Sequence, residues 1–178
     1  TNNGFVIEES DGGRSAVVEV DIPTGKPVRT VYAADGVDVE GVLMGSNGAK
    51  LLGVRTSDRS APLRWIDPAM AAHQKTLEEA SPQSTVRIES ISADQSKMLV
   101  RFSTPDNPGL LFYFDAATGD LVKLAAMNDA IGGKRLSRGR MVRYKARDGL
   151  EIEGVLTMPR HRRDKNLPFI VMPHGGPW

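Results

Sequence analysis

The chain has 178 residues, with 23 basic and 22 acidic side chains and no cysteine. The missing cysteine excludes disulfides, thiolate-bound zinc and a cysteine nucleophile. The formal net charge of +1 gives no sign of a nucleic-acid partner, and no apolar run approaches the roughly 18 residues that span a bilayer. We therefore expect no nucleic acid and no membrane as partners, and the compartment, cytoplasmic or periplasmic, stays open.

Two features indicate how the chain is organised. It starts at Thr1, and residues 1–4 have the composition of a turn rather than of a leader, so we expect a piece of a longer protein. Residues 134–165 carry 11 basic and 4 acidic side chains, whereas acidic side chains outnumber basic ones in the remainder. This shift predicts a domain boundary near Gly132 and Gly133.

A repeat of about 45 residues runs through the first two-thirds of the chain. An apolar run ends in aspartate three times, at Asp21, Asp67 and Asp115, which lie 46 and 48 residues apart. Turn-forming pairs recur in phase with these aspartates. The predicted strands lie at 5–8, 16–20, 28–31, 37–44, 51–55, 63–66, 75–77, 86–91, 98–102, 110–114 and 121–124. About four short strands in each repeat are typical of a β-propeller blade.

Within this region, residues 68–80 fit either a helical turn or a decorated hairpin loop, and we favour the loop. The repeated aspartates have two interpretations. They would form a ring of metal or ligand contacts, or each would cap its own turn through the carboxylate. The second interpretation is favoured, because single aspartates at strand ends usually bond to their own backbone.

A hairpin is predicted after the repeat. Residues 141–146 alternate apolar and basic, Asp148 and Gly149 form the turn, and residues 150–158 return as a second strand. A register that pairs opposite charges on one face of the hairpin and apolar side chains on the other places Lys145 opposite Glu153. The basic loop 159–166 that follows fits a phosphate-binding patch or a solvated loop, and we favour the solvated loop.

Residues 168–172 are wholly apolar, which is typical of a central strand buried on both faces. They lead into His174, Gly175, Gly176 and Pro177. A glycine pair at the carboxyl end of such a strand allows a ligand to approach the backbone closely. Taken alone, the His-Gly-Gly run fits a structural turn as well as it fits the loop from which hydrolases with an α/β sheet take one oxyanion-hole N–H.

Three segments, 103–115, 144–152 and 167–178, together resemble the prolyl oligopeptidase family, and most closely its acylaminoacyl-peptidase or dipeptidyl-peptidase-like branch. The resemblance implies a mainly β fold. The architecture that it implies is a partial β-propeller of about three blades of four-stranded antiparallel sheet, followed by the first strands of an α/β-hydrolase domain. It further implies that residues 1–131 are the C-terminal part of the propeller, and that residues 132–178 are a linker and the truncated start of the peptidase domain.

The resemblance also implies a serine peptidase that hydrolyses short peptides by acyl transfer. Gly175 and Gly176 would form the oxyanion-hole loop, with Gly176 the favoured donor, while His174 and Pro177 would position that loop. In this fold the catalytic histidine follows the serine and the acid in chain order. No Gly-x-Ser-x-Gly motif occurs in the chain, so none of the triad is present and the chain alone should be inactive.

Two alternatives remain: an esterase-type hydrolase of the same architecture, and a propeller that serves as a binding module. Peptide substrates are the partners expected for the whole protein, and open blade edges predict an oligomer. No metal or organic cofactor is expected, since the chain has no His-Glu-x-x-His, Gly-x-Gly-x-x-Gly or P-loop motif.

Overall fold

The fold is mainly β, as expected. The structure, a computed structural model, describes residues 2–9, 13–34, 36–46, 48, 50–58, 62–131, 136–162, 165–173 and 175. The elements in chain order are β1 (Asn3–Glu9), β2 (Ser15–Asp21), β3 (Pro27–Tyr32), β4 (Val39–Met44), β5 (Leu51–Thr56), β6 (Leu63–Trp65), α1 (Pro68–Ala80), β7 (Thr85–Ile91), β8 (Lys97–Thr104), β9 (Asn107–Asp115), β10 (Leu121–Ala126), β11 (Gly139–Lys145) and β12 (Glu151–Thr157).

The strands form small antiparallel sheets of chain neighbours. The first sheet has the order β1-β2-β3, the second β4-β5-β6, the third β10-β9-β8-β7, and the last is the pair β11-β12. Such meanders suit short alternating strands joined by tight turns. The first and second sheets have three strands where four were expected, and only the third has four. Neither a closed ring nor an α/β-hydrolase sheet occurs in the described part of the chain.

The interpretation of residues 68–80 as a hairpin loop, with a strand at 75–77, is wrong, because they form helix α1. Asp67 caps this helix by accepting a hydrogen bond of 2.9 Å from the backbone N–H of Met70, and Pro68 opens the first turn. Both residues are typical of a helix start. Among the described residues, no helix is long and apolar enough to cross a membrane.

The other two repeated aspartates also bond to their own turns. The Asp21 carboxylate accepts a hydrogen bond of 3.1 Å from the backbone N–H of Thr24, and Asp115 accepts one of 3.0 Å from that of Ala117. The interpretation of the aspartates as turn caps is therefore confirmed. The described residues include no group of three metal-ligating side chains.

Two clusters of buried side chains form the core. Val17, Val39, Leu51 and Val54 join the first sheet to the second. The larger cluster packs α1 against the third sheet and consists of Met70, Leu77, Val86, Ile88, Met98, Val100, Phe102 and Phe114. Burying a side chain such as Leu77 contributes about 1.5–3 kcal/mol, so packing rather than helix propensity holds α1 in place.

Asp67 is itself almost fully buried, at 2% exposure, and forms an ion pair with Lys50. We expect Asp67→Ala to destabilise the chain by about 2 kcal/mol, because Met70 loses its N-cap and the ion pair is lost. Asp67→Asn keeps a side-chain acceptor for Met70 and should cost less. Urea unfolding followed by circular dichroism checks both values. Equal losses for the two variants would contradict a dominant capping role.

The chain divides into two compact units. The first comprises Thr1–Ser103 and Gly109–Met127, and the second comprises Thr104–Pro108 and Asn128–Trp178. The proposed domains, 1–131 and 132–178, stay a prediction. Gly132 and Gly133, where the charge pattern placed the boundary, lie outside the described residues.

The predicted hairpin of the second unit forms, as β11 and β12, but its predicted register is wrong. Lys145 lies opposite Glu151, and Glu153 lies opposite Arg143, to which it is bonded at 2.7 Å. The connection consists of Arg147, Asp148 and Gly149, whereas the predicted register requires a three-residue connection at 148–150. Ala146 and Leu150 close it through a bond of 2.8 Å, and Gly149 has a φ of +88°. A three-residue loop with a left-handed last residue is a standard hairpin connection, and its position one residue earlier in the chain moves each pairing by two residues.

Residues 168–172 were predicted to form a buried central strand, and the structure does not bear this out. They are not part of any described strand, and Phe169, Ile170, Val171 and Met172 are 77%, 80%, 71% and 87% exposed. A strand buried on both faces needs a neighbour on each edge and a layer on each face. The described residues of the second unit provide only one hairpin.

Candidate functional site

The predicted oxyanion-hole loop is described at one residue only. Gly175 is exposed and lies outside regular secondary structure, and a Cβ added there would meet nothing within 4 Å. His174, Gly176 and Pro177 lie outside the described residues. The roles assigned to these four residues therefore stay predictions.

A polar cluster that the sequence analysis missed lies earlier in the same unit, around Asp106. This residue sits in the tight turn between β8 and β9. Its carboxylate accepts hydrogen bonds of 2.8 Å from the Thr104 hydroxyl and 3.1 Å from Arg138 Nε, and it also pairs with the Arg160 guanidinium. The Asp106 side chain is only 16% exposed.

The two arginines come from opposite ends of the hairpin in the second unit. Arg138 directly precedes β11, and Arg160 follows β12. One carboxylate therefore fastens both ends of the hairpin to the turn at Asp106. Arginine is suited to this, since its guanidinium holds several hydrogen bonds in a fixed plane. The basic loop 159–166 was expected to be solvated, but its Arg160 pairs with Asp106.

The hydrogen bond from Thr104 and the neighbouring Arg138 guanidinium lower the pKa of Asp106 to about 2. An unfolded aspartate titrates near 3.9, so the folded state binds this proton more weakly than the unfolded state. The stabilisation is complete above the unfolded pKa and is lost as the pH falls towards about 2.

We expect the Asp106 carboxyl carbon, followed by NMR and assigned with Asp106→Asn, to titrate near pH 2. Arg138→Gln should raise that midpoint, because it removes a hydrogen-bond donor and a positive charge. A midpoint near 4 in the unmodified chain would show that the cluster does not form in solution.

A cleft of about 1150 Å³ lies within the first unit, between the second sheet and the near edge of the third. One wall contains residues of β4, β5 and β6, including Leu63 and Trp65, and the other contains all of β7. Gln74 of α1 links the walls, since its amide accepts a 3.4 Å hydrogen bond from Trp65 Nε1 and donates one of 3.1 Å to the Val86 carbonyl.

The charges that line the cleft balance one another. Three arginines and three glutamates contribute to the walls: Arg55, Arg64, Arg87, Glu40, Glu78 and Glu89. Arg64 pairs with Asp58 at 3.0 Å, and Glu89 pairs with Arg101 at 2.7 Å. Arg87 is exposed and forms no ion pair with any residue that the structure describes. The cleft thus has little net charge. Arg55 is likewise exposed and, like Arg87, forms no ion pair with any described residue, so the walls carry two arginines that could bind an anion.

Comparison with known proteins gives one curated relative. No protein-family model matches the chain. Dipeptidyl aminopeptidase BIII of Pseudoxanthomonas mexicana is 27% identical over 172 residues, a match that covers 92% of this chain and 24% of the relative. This similarity supports the resemblance to the dipeptidyl-peptidase-like branch of the prolyl oligopeptidase family. The resemblance predicted from residues 103–115, 144–152 and 167–178 is thereby confirmed.

Among solved structures, dipeptidyl peptidase 4 of Porphyromonas gingivalis aligns with a TM-score of 0.48 and 13% sequence identity. That alignment covers 87% of this chain and 22% of the solved one. The chain spans about a quarter of the length of the curated relative that it matches.

Proposed function

We propose that this chain forms part of a serine-type peptidase that hydrolyses short peptides by acyl transfer. The observation that carries the proposal is the match to a dipeptidyl aminopeptidase over 92% of the chain. A match of this length extends over most of both the strand repeat and the later hairpin, so the relative shares their order. Small meander sheets followed by a hairpin and a His-Gly-Gly loop suit a propeller that leads into a hydrolase domain.

The reaction would use residues of the whole protein that this chain does not contain. A serine oxygen attacks the peptide carbonyl while a histidine takes its proton, and the amine then leaves carrying that proton. Water hydrolyses the resulting acyl-enzyme by the same steps. A backbone N–H of Gly175 or Gly176, with Gly176 favoured, would donate to the oxyanion. His174 and Pro177 would hold this loop in position without exchanging a proton.

The chain by itself should then be inactive. It has no Gly-x-Ser-x-Gly motif, and an oxyanion loop without a nucleophile cannot form the acyl-enzyme. The sheets of the first unit would act in the whole protein by selecting which peptides reach the catalytic centre.

An esterase of the same architecture and a propeller binding module are the alternatives. Turnover of dipeptide p-nitroanilides and of matched p-nitrophenyl esters by the full-length protein separates the three. We expect amide hydrolysis at a rate that exceeds the spontaneous rate by many orders of magnitude. Hydrolysis of esters alone would support the esterase, and turnover of neither substrate would leave the binding module.

A further inference from the structure

We propose that the cleft between the second and third sheets binds an extended peptide, which pairs as an additional strand with the free edge of β7 and places an acidic side chain opposite Arg87. The inference does not rest on the proposed peptidase activity. It concerns the binding of a peptide strand at residues of the first unit, and it requires no catalytic group.

The first observation is the position of β7 in its sheet. The order β10-β9-β8-β7 leaves β7 at an edge of the sheet, paired with β8 and otherwise bonded to the Gln74 amide through its Val86 carbonyl at 3.1 Å. All seven residues from Thr85 to Ile91 line the cleft, although Val86 and Ile88 are buried in the core and Arg87 and Glu89 are exposed. Because residues from both faces of β7 line the cleft, the cleft runs along the edge of this strand. Backbone N–H and C=O groups at a strand edge that have no ladder partner can pair with another strand.

The second observation is the size and lining of the cleft. Its volume of about 1150 Å³ lies at or above the upper end of small-molecule sites, whereas a seven-residue strand needs a groove roughly 23 Å long. Leu63 and Trp65 stand on the facing wall. They would contact the side chains of a bound strand, since alternate residues of a strand point to opposite faces.

The third observation fixes the chemistry at one position. Arg87 lies directly opposite Arg101 in the ladder with β8, and like charges so placed are unfavourable. Glu89 already pairs with Arg101 at 2.7 Å, which leaves Arg87 uncompensated among the described residues. A strand added on the other side of β7 would place one residue beside Arg87. An aspartate or glutamate there forms the missing opposite-charge pair.

The test uses the 178-residue chain and a fluorescein-labelled octapeptide of alternating valine and glutamate, with an alternating valine and lysine peptide for comparison. Fluorescence anisotropy should show saturable binding of the valine-glutamate peptide at micromolar concentrations. Arg87→Gln should weaken that binding about fivefold, the value of one cross-strand ion pair. Arg87→Glu should reverse the preference, so that the valine-lysine peptide binds more tightly.

Two controls separate strand pairing from general attraction. Arg147→Glu makes the same charge change at an exposed loop residue of the second unit and should leave the peptide preference unchanged. A valine-glutamate peptide methylated at alternate backbone nitrogens keeps its charge but cannot complete the ladder, so it should bind at least about tenfold more weakly.

Three outcomes would overturn the proposal. The first is the absence of saturable binding, and the second is a preference that Arg87→Glu leaves unchanged. The third is self-association of the chain through this edge, seen as a dimer in light scattering that the peptide does not dissociate. That result would mean that a second copy of the chain, rather than a peptide, occupies the cleft.

Discussion

Replacing Gly109 with alanine should cost the chain about 3 kcal/mol of folding free energy. Gly109 has a φ of +115°, a conformation that residues with a Cβ avoid. A Cβ built there would lie 2.6 Å from the Phe102 carbonyl oxygen and 3.1 Å from Ser103 Cβ. The first contact is with backbone, so β8 and β9 would have to separate at this point.

Gly119→Ala is the matched control. Gly119 also has a positive φ, of +80°, but its added Cβ would meet nothing within 4 Å. Gly119→Ala should therefore lose only the free energy needed to hold alanine at a positive φ, about 1 kcal/mol. Urea unfolding of both variants, fitted with one common slope of unfolding free energy against urea concentration, measures the difference in their stability. Equal losses would show that the close approach of β8 and β9 is not maintained in solution.

The second large effect is expected at Gly176, in the full-length protein. Gly176→Pro removes the backbone N–H that we assign to the oxyanion hole. We expect kcat to fall about 10²- to 10³-fold, because one donor of this kind contributes about 3–4 kcal/mol in the transition state. KM should change little, since the charge appears only after attack on the carbonyl.

Gly176→Ala provides the comparison, because alanine keeps the N–H. Steady-state kinetics on a dipeptide p-nitroanilide then separates the effect of losing the N–H donor on kcat from the effect of adding a side chain. If the two variants lose the same rate, the loss comes from the shape of the loop, and the oxyanion donor must be sought elsewhere.

Most strands could be predicted from the sequence, because short apolar runs bounded by turn residues carry a strong local signal. Helix α1 was missed although Asp67 and Pro68 are a helix-start signal. Only Met70 and Leu77 of the helix are fully buried, so its apolar stripe is too sparse for a clear period. The hairpin of the second unit was found, but its register was not. The predicted register places the three-residue connection at 148–150, but it lies at 147–149, with Gly149 as its left-handed last residue.

The candidate site divides in a similar way. Gly175 and Gly176 are recognisable because a motif places them next to each other in the chain. Asp106, Arg138 and Arg160 are far apart in sequence, and only the fold brings them together. The apolar run 168–172 is a segment for which the structure does not bear out the prediction from sequence alone. Its composition predicts burial, but burial depends on neighbouring strands and layers that the described residues do not provide.

We propose that this chain is part of a serine peptidase whose nucleophile lies outside residues 1–178. The most direct measurement is to treat the full-length product of the parent gene with a fluorophosphonate probe and to map the modified peptide by mass spectrometry. We expect one labelled serine, in a Gly-x-Ser-x-Gly sequence after Trp178, and no label on the 178-residue chain. A labelled serine within residues 1–178, or no labelled serine in the full-length protein, would contradict it.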